Sequence, residues 1–198
     1  MTRVPPAGTL RRMTRVVGVS GSLRSASLNA ALLRAAADSM PSGATLEIGT
    51  IRGIPLSDGD VEAAQGLPEL VQRLKEQIVA ACGLVLVTPE YNNSLPGVFK
   101  NAIDWLSRPA ADIPRVFGGR PVAVIGASPG GFGTLLSQTA WLPVLKTLGT
   151  QAWFGGRLQV SRAGEVFDKD GKLVDERVRD QLRKFLTGFV DFVAVKRS

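Results

Sequence analysis

The chain contains no histidine, one cysteine (Cys82) and one tyrosine (Tyr91). Without histidine, serine or cysteine nucleophiles lack their usual general base, and the commonest zinc ligand is missing. No metal site is expected. One cysteine cannot form an internal disulfide, which points to a reducing compartment and a cytoplasmic location. Cys82, between "IVAA" and "GLVLV", reads as a small buried residue. No apolar run approaches the length of a membrane span. The N-terminal "MTRVPPAGTLRRMTR" lacks the apolar stretch of a secretory signal. Residues 1–13 read as a flexible basic tail, with Met13 as an alternative start, and 14–198 as one domain.

What is present is an ordinary globular composition, 44% hydrophobic and 21% charged, with a net charge of +7. The basic residues are scattered, among them Arg34, Arg52, Arg73, Arg108 and Arg120, and form no compact block beyond the tail. With no nucleic-acid motif either, the charge is read as attraction for small anions rather than for a polynucleotide.

Apolar runs alternate with helical patterns along the chain. Strands are expected at 15–20, 44–50, 83–89 and 120–128, with a short fifth in "TQAWFGG". Helices are expected over 27–39, 67–81, 96–107, 134–149 (kinked at Pro143, with Gly149 as its stop) and 173–194. Residues 51–66 read as a long loop, and Asp170-Gly171 as the tip of a hairpin-like excursion. Such alternation predicts an α/β fold, a doubly wound five-stranded parallel sheet of order 2-1-3-4-5 with helices on both faces. In that architecture ligands sit beyond the carboxyl ends of the strands, where the strand order reverses.

Three loops fall there. After the first strand comes "SGSLRSASLN" (20–29), whose hydroxyls, amide and arginine lead into a helix N-terminus. Backbone N–H groups and the helix dipole favour an anion at such a place. The loop matches neither G-x-x-x-x-G-K-[ST] nor G-x-G-x-x-G, and side-chain hydroxyls suit a terminal monophosphate. Simple capping by Ser25 or Ser27 is the plainer alternative. The second loop, "TPEYNNSLPG" (88–97), sets a tyrosine face beside amide edges. That would suit a planar heterocycle, or equally a turn with asparagines in left-handed conformations and an asparagine cap on the next helix. The third, "GASPGGFGTLL" (126–136), offers Gly130, Gly131 and Gly133 for close backbone approach.

"GSLRSASLN", "PEYNNSLPGVFKNAIDW" and "ASPGG" together resemble the NADPH-dependent FMN reductases of flavodoxin-like fold, a group that includes bacterial quinone and chromate reductases. The resemblance runs from about Met13 to the last helix. It implies non-covalent FMN, with NAD(P)H as co-substrate. By similarity Ser22, Arg24, Ser27, Leu28 and Asn29 would hold the ribityl phosphate; Pro89, Glu90, Tyr91 and Asn92 would line the flavin ring; and Ser128, Gly130 and Gly131 would touch its pyrimidine edge. It also implies a homodimer or homotetramer through the helix 96–107, with Trp105 as a candidate anchor. Thr134-Leu135-Leu136 departs from the basic residue relatives often carry there, leaving the nicotinamide preference open.

The expected chemistry is hydride transfer from NAD(P)H to the flavin, after which a quinone, chromate, free flavin or similar small acceptor takes the same place and receives electrons. No protein side chain is expected to act as a catalyst, because the cofactor carries the redox work. Glu90 is read as a backbone contact or a structural salt bridge rather than a proton donor. A flavodoxin-type electron carrier without its own NAD(P)H oxidation is the alternative.

Overall fold

The computed structural model describes residues 13–195. The basic tail expected over 1–13 lies, apart from Met13, outside the described residues. Fourteen elements follow in order: β1 Thr14–Ser20, α1 Leu28–Asp38, β2 Ala44–Gly49, α2 Gly59–Gln65, α3 Glu69–Ala80, β3 Gly83–Val87, α4 Gly97–Leu106, a 3₁₀ turn Ala110–Asp112, α5 Ile113–Val116, β4 Pro121–Ala127, α6 Leu135–Thr147, β5 Gln151–Ala152, β6 Gln159–Val160 and α7 Glu176–Val195. The strands lie parallel in the order β2-β1-β3-β4-β5, as expected, with β6 also paired to β4.

The period-two pleat explains the two cores. All five residues of β3 are buried. Val85 and Val87 point into a cluster with α1 and α7, while Leu84 and Leu86 point into one with α3, α4 and α6. A strand covered on both faces reads as a continuous apolar run, which is why "GLVLV" was unambiguous.

Three local expectations need correction. Residues 51–66 are not all loop: Asp58 caps α2, its carboxylate accepting from the Asp60 N–H at 2.8 Å. No residue of α2 is buried, so it carries no apolar period to read. The fifth strand is also broken. After Ala152 the chain leaves β4 and rejoins it at Gln159. Trp153 turns instead into the α7 cluster, edge-on to Phe185 with ring centroids 4.8 Å apart. Gly155 and Gly156 let the chain wrap that indole, since a Cβ on either would lie within 3 Å of it. The hairpin-like excursion is present as an antiparallel bridge between Phe167 and Leu173, with Gly171 at φ 75°. Cys82 is half-buried rather than fully enclosed. Among the described residues no helix is long and apolar enough to cross a membrane, and no group of three or more Cys, Asp or Glu could hold a metal ion.

Candidate active site

The carboxyl ends of β1, β3 and β4 are neighbours in the sheet, so the three loops leave it side by side. Several bonds tie them together. The Gly21 N–H donates to the Val87 carbonyl oxygen at 2.9 Å, which keeps the first loop on β3 as it departs. Only glycine fits there, because a Cβ would sit 2.2 Å from the Phe99 ring. The Asn29 carboxamide bridges to the end of β4: its Nδ2 donates to the Ala127 carbonyl and its Oδ1 accepts from the Ala127 N–H, both at 2.8 Å. Asn29 is buried, and this two-way bond fixes α1 against the third loop.

Ser27 is the N-cap of α1, its Oγ accepting from the Ala30 N–H at 3.1 Å. The cap therefore uses one hydroxyl of this loop. The Leu28 and Asn29 N–H groups, first in the helix, have no partner among the described residues. The Arg24 guanidinium is exposed and unpaired. Ser22 Oγ accepts only a long 3.4 Å bond from the Arg24 N–H. Arg52 donates to the Leu23 carbonyl and steadies the loop from the end of β2, a contact that spacing in the sequence did not suggest.

The second loop is built differently. Thr88 is fully buried. Its hydroxyl donates to the Pro89 carbonyl at 2.9 Å and accepts from Trp141 Nε1 at 3.0 Å. A hydroxyl has one proton, so Ser137 Oγ, 2.8 Å away, is the donor in the third bond. Glu90 does not form a salt bridge. Its Oε2 accepts from the Leu136 and Ser137 N–H groups at 2.8 and 3.0 Å and caps α6, whose own N-cap Thr134 makes no side-chain cap bond. A carboxylate at a helix N-terminus also meets the favourable end of the dipole. Beyond Glu90 the chain turns tightly: Asn92 and Asn93 have φ of 50° and 60°, and Tyr91 and Ser94 exchange backbone bonds of 3.1 and 3.0 Å. This is the left-handed asparagine turn, but no asparagine caps α4, which begins after Pro96. Pro89 is buried while Tyr91 and Asn92 are exposed.

The third loop leaves β4 through Gly126, where a Cβ would lie 2.2 Å from both the Thr88 carbonyl and Thr134 Oγ1. Ser128 Oγ accepts from the Gly130 N–H at 3.2 Å, so that donor is engaged within the loop. The Gly131 N–H has no partner among the described residues, and space is open where its side chain would be. Of the three glycines only Gly133 needs to be one for its backbone, at φ 63° against Gln159. Trp105 is fully buried, its Nε1 donating to the Pro55 carbonyl at 3.0 Å, so it cannot anchor a contact between subunits.

A parallel α/β sheet with unpaired donors on the β1–α1 loop, and an exposed tyrosine and open glycine backbone beyond β3 and β4, suits the class of mononucleotide-binding proteins. Residues 14–165 match the model of the NADPH-dependent FMN reductase family. The chain is 43% identical to an NAD(P)H-dependent FMN reductase of Pseudomonas aeruginosa, over 87% of this chain and 91% of that one. It is 37% identical to a quinone reductase of Escherichia coli, over 90% and 95%. The solved structure of FerB, a flavoenzyme NAD(P)H:(acceptor) oxidoreductase from Paracoccus denitrificans, superposes with a TM-score of 0.82 at 33% identity, covering 92% of this chain and 98% of that one. The chain belongs to the NADPH-dependent FMN reductase family. It is an FMN-dependent NAD(P)H oxidoreductase.

Proposed function

We propose that the first loop holds the FMN phosphate and that the second and third hold the ring, with quinones as the acceptors. The observation that carries this reading is the donor set of the first loop. The Leu28 and Asn29 N–H groups are free at a helix N-terminus beside an unpaired Arg24 and a nearly uncommitted Ser22 hydroxyl. That set suits a dianionic monophosphate. Ser27 contributes by its cap, and Asn29 by locking α1 to β4 in addition to its backbone donor.

Bound FMN supplies two-electron redox chemistry that no side chain here provides. Pro89 and Tyr91 give the ring an apolar wall, and Asn92 an amide edge. Ser128 and Gly130 shape the third loop around their mutual bond, leaving the Gly131 N–H as the free donor for the pyrimidine edge. Glu90 holds the second loop on α6 and carries no proton in the reaction. The exposed face between Tyr91 and Gly131 admits nicotinamide and acceptor by turns.

The name of the relative in Escherichia coli favours a quinone acceptor. Small anions such as chromate are a further acceptor class, favoured by the net charge of +7. A homodimer or homotetramer using the outer side of α4 is part of the same reading, now through exposed Val98 and not through Trp105. The cytoplasm remains the location the single cysteine favours.

An anaerobic stopped-flow experiment on FMN-loaded protein tests the whole. Mixing with NADPH or NADH should bleach the flavin within the mixing series, and a quinone should restore its colour. A flavin that stays oxidised defeats the reading. A steep fall of kcat/KM with salt for chromate, but not for a neutral quinone, tests the anionic acceptors.

A further inference from the structure

The far side of the first loop, away from the second and third, faces a cleft of about 310 Å³ between α1 and the end of β2. Three arginines line it, Arg24, Arg34 and Arg52, and its lining includes no carboxylate. Elsewhere among the described residues Arg73, Arg108, Arg115, Arg179 and Arg183 pair with acids. Among the described residues the Arg24 and Arg34 side chains make no hydrogen bond or ion pair, and Arg52 meets only the neutral Leu23 carbonyl. Ser20 also lines the cleft, and its Oγ is buried without any hydrogen-bond partner. A buried hydroxyl without a partner is costly and calls for an explanation. Leu33 and Ile48 add apolar wall.

Guanidinium forks and a hydroxyl donor over an apolar wall are the chemistry of a phosphate carried on a small organic body. We propose that this cleft is a second anion site, distinct from the flavin site, that binds a phosphomonoester. Ser20 donates to a phosphate oxygen, and Arg34 and Arg52 supply the charge. The two sites share only the Ser22–Arg24 stretch of the loop between them. The Asn29 side chain is tied to β4, away from β2.

The phosphate could be the 2′-phosphate of NADPH or a free phosphate ion, and the test separates them. FMN-loaded full-length chain is titrated calorimetrically with inorganic phosphate, adenosine 2′-monophosphate and adenosine. The first two should bind one per chain and compete, and adenosine should not bind. Ser20→Ala and Arg34→Gln should each weaken both anions by about tenfold, with Arg34→Lys recovering part of the loss. Flavin affinity and KM for NADH should stay unchanged in all three. A raised KM for NADPH alone in Arg34→Gln assigns the phosphate to the dinucleotide, an assignment that rests on the reductase activity. Unchanged KM values with lost phosphate binding assign it to the free ion. Anion binding that is absent, or equal in wild type and variants, overturns the proposal. Loss of flavin in Ser20→Ala or Arg34→Gln also overturns it, since the cleft would then be part of the flavin site.

Discussion

The first and second loops, which the proposed reading assigns to one ligand, are constructed in opposite ways. Residues 23–26 are all exposed, and the loop is held chiefly at its two ends, by the Gly21 bond to β3 and the Ser27 cap, with Arg52 as a brace. The start of the second loop is locked from within. The Thr88 hydroxyl uses its proton and both lone pairs, and Glu90 is spent on α6. A packing chain joins the two regions: Gly21 rests on Phe99, Phe99 meets Trp141 edge-on at 5.0 Å, and Trp141 donates to Thr88. On the proposed reading, the difference follows from what each end of the cofactor brings. A phosphate dianion carries strong acceptors and can order uncommitted donors around itself. A flat ring offers surface and little else, so its wall must stand before it arrives.

If that contrast is right, damage to the second loop should be read mainly as lost stability, and damage to the first as lost cofactor. The largest effect is expected from Thr88→Val, which leaves Trp141 Nε1 and the Pro89 carbonyl without their partner in a buried place. It should cost about 2–4 kcal/mol in chemical denaturation of the flavin-free protein, with weaker flavin binding as a consequence. A stable Thr88→Val protein would mean that the second loop is not braced by this network. Arg24→Ala comes next. It should weaken FMN binding by about 1.5–3 kcal/mol in a fluorescence titration, while the flavin-free protein melts as wild type does. Unchanged flavin affinity would remove Arg24 from the phosphate site.

Glu90→Gln should be milder. The carboxamide oxygen still accepts from Leu136 and Ser137, and only the charge against the helix dipole is lost, about 0.5–1 kcal/mol. Turnover should follow wild type at every pH. A tenfold fall in kcat with stability intact would make Glu90 a proton-transfer group and contradict the purely structural account given to it.

The sheet order and the longer helices were legible because their apolar patterns are plain: β3 is a continuous apolar run covered on both faces, and α3 sets Val71, Leu74 and Ile78 inward at helical spacing. The three loops were legible as a set because topology alone places the ends of β1, β3 and β4 together. What could not be read were partnerships between residues far apart in sequence. Glu90 lies 46 positions from Leu136, and Asn29 98 from Ala127; nothing local to either predicts the bond. Trp105 was a candidate interface residue because the resemblance implies that its helix lies between subunits, yet here the indole is buried within its own chain. The broken fifth strand was hidden for a related reason: "TQAWFGG" has strand-forming residues, and only the α7 pocket that receives Trp153 shows why the chain leaves the ladder.

The smallest effect on either loop is expected from a charge cluster remote from both, which serves as the control. Lys75 on α3 is almost wholly buried and reaches Asp112 at 3.1 Å and the Arg108 carbonyl. Arg115 approaches the same carboxylate at 3.2 Å. The hydrogen bond from Arg115, and then that from Lys75, hold the Asp112 carboxyl below its ordinary 3.8. A carboxylate whose folded pKa is depressed binds fewer protons folded than unfolded. Its stabilisation is therefore complete above the unfolded value, about pH 4, and is lost as pH falls through the lower folded one. Asp112→Asn should reduce the melting temperature at neutral pH, and the gap from wild type should close on acidification below that value. FMN affinity at neutral pH should be the same in both proteins, because the cluster clamps residues 108–116 to α3 and reaches none of the three loops. A loss of flavin in Asp112→Asn would show that the wall of the ring site depends on the packing of that distant segment, and the division between a braced loop and a ligand-ordered one would then have to be drawn across the whole α3–α5 face.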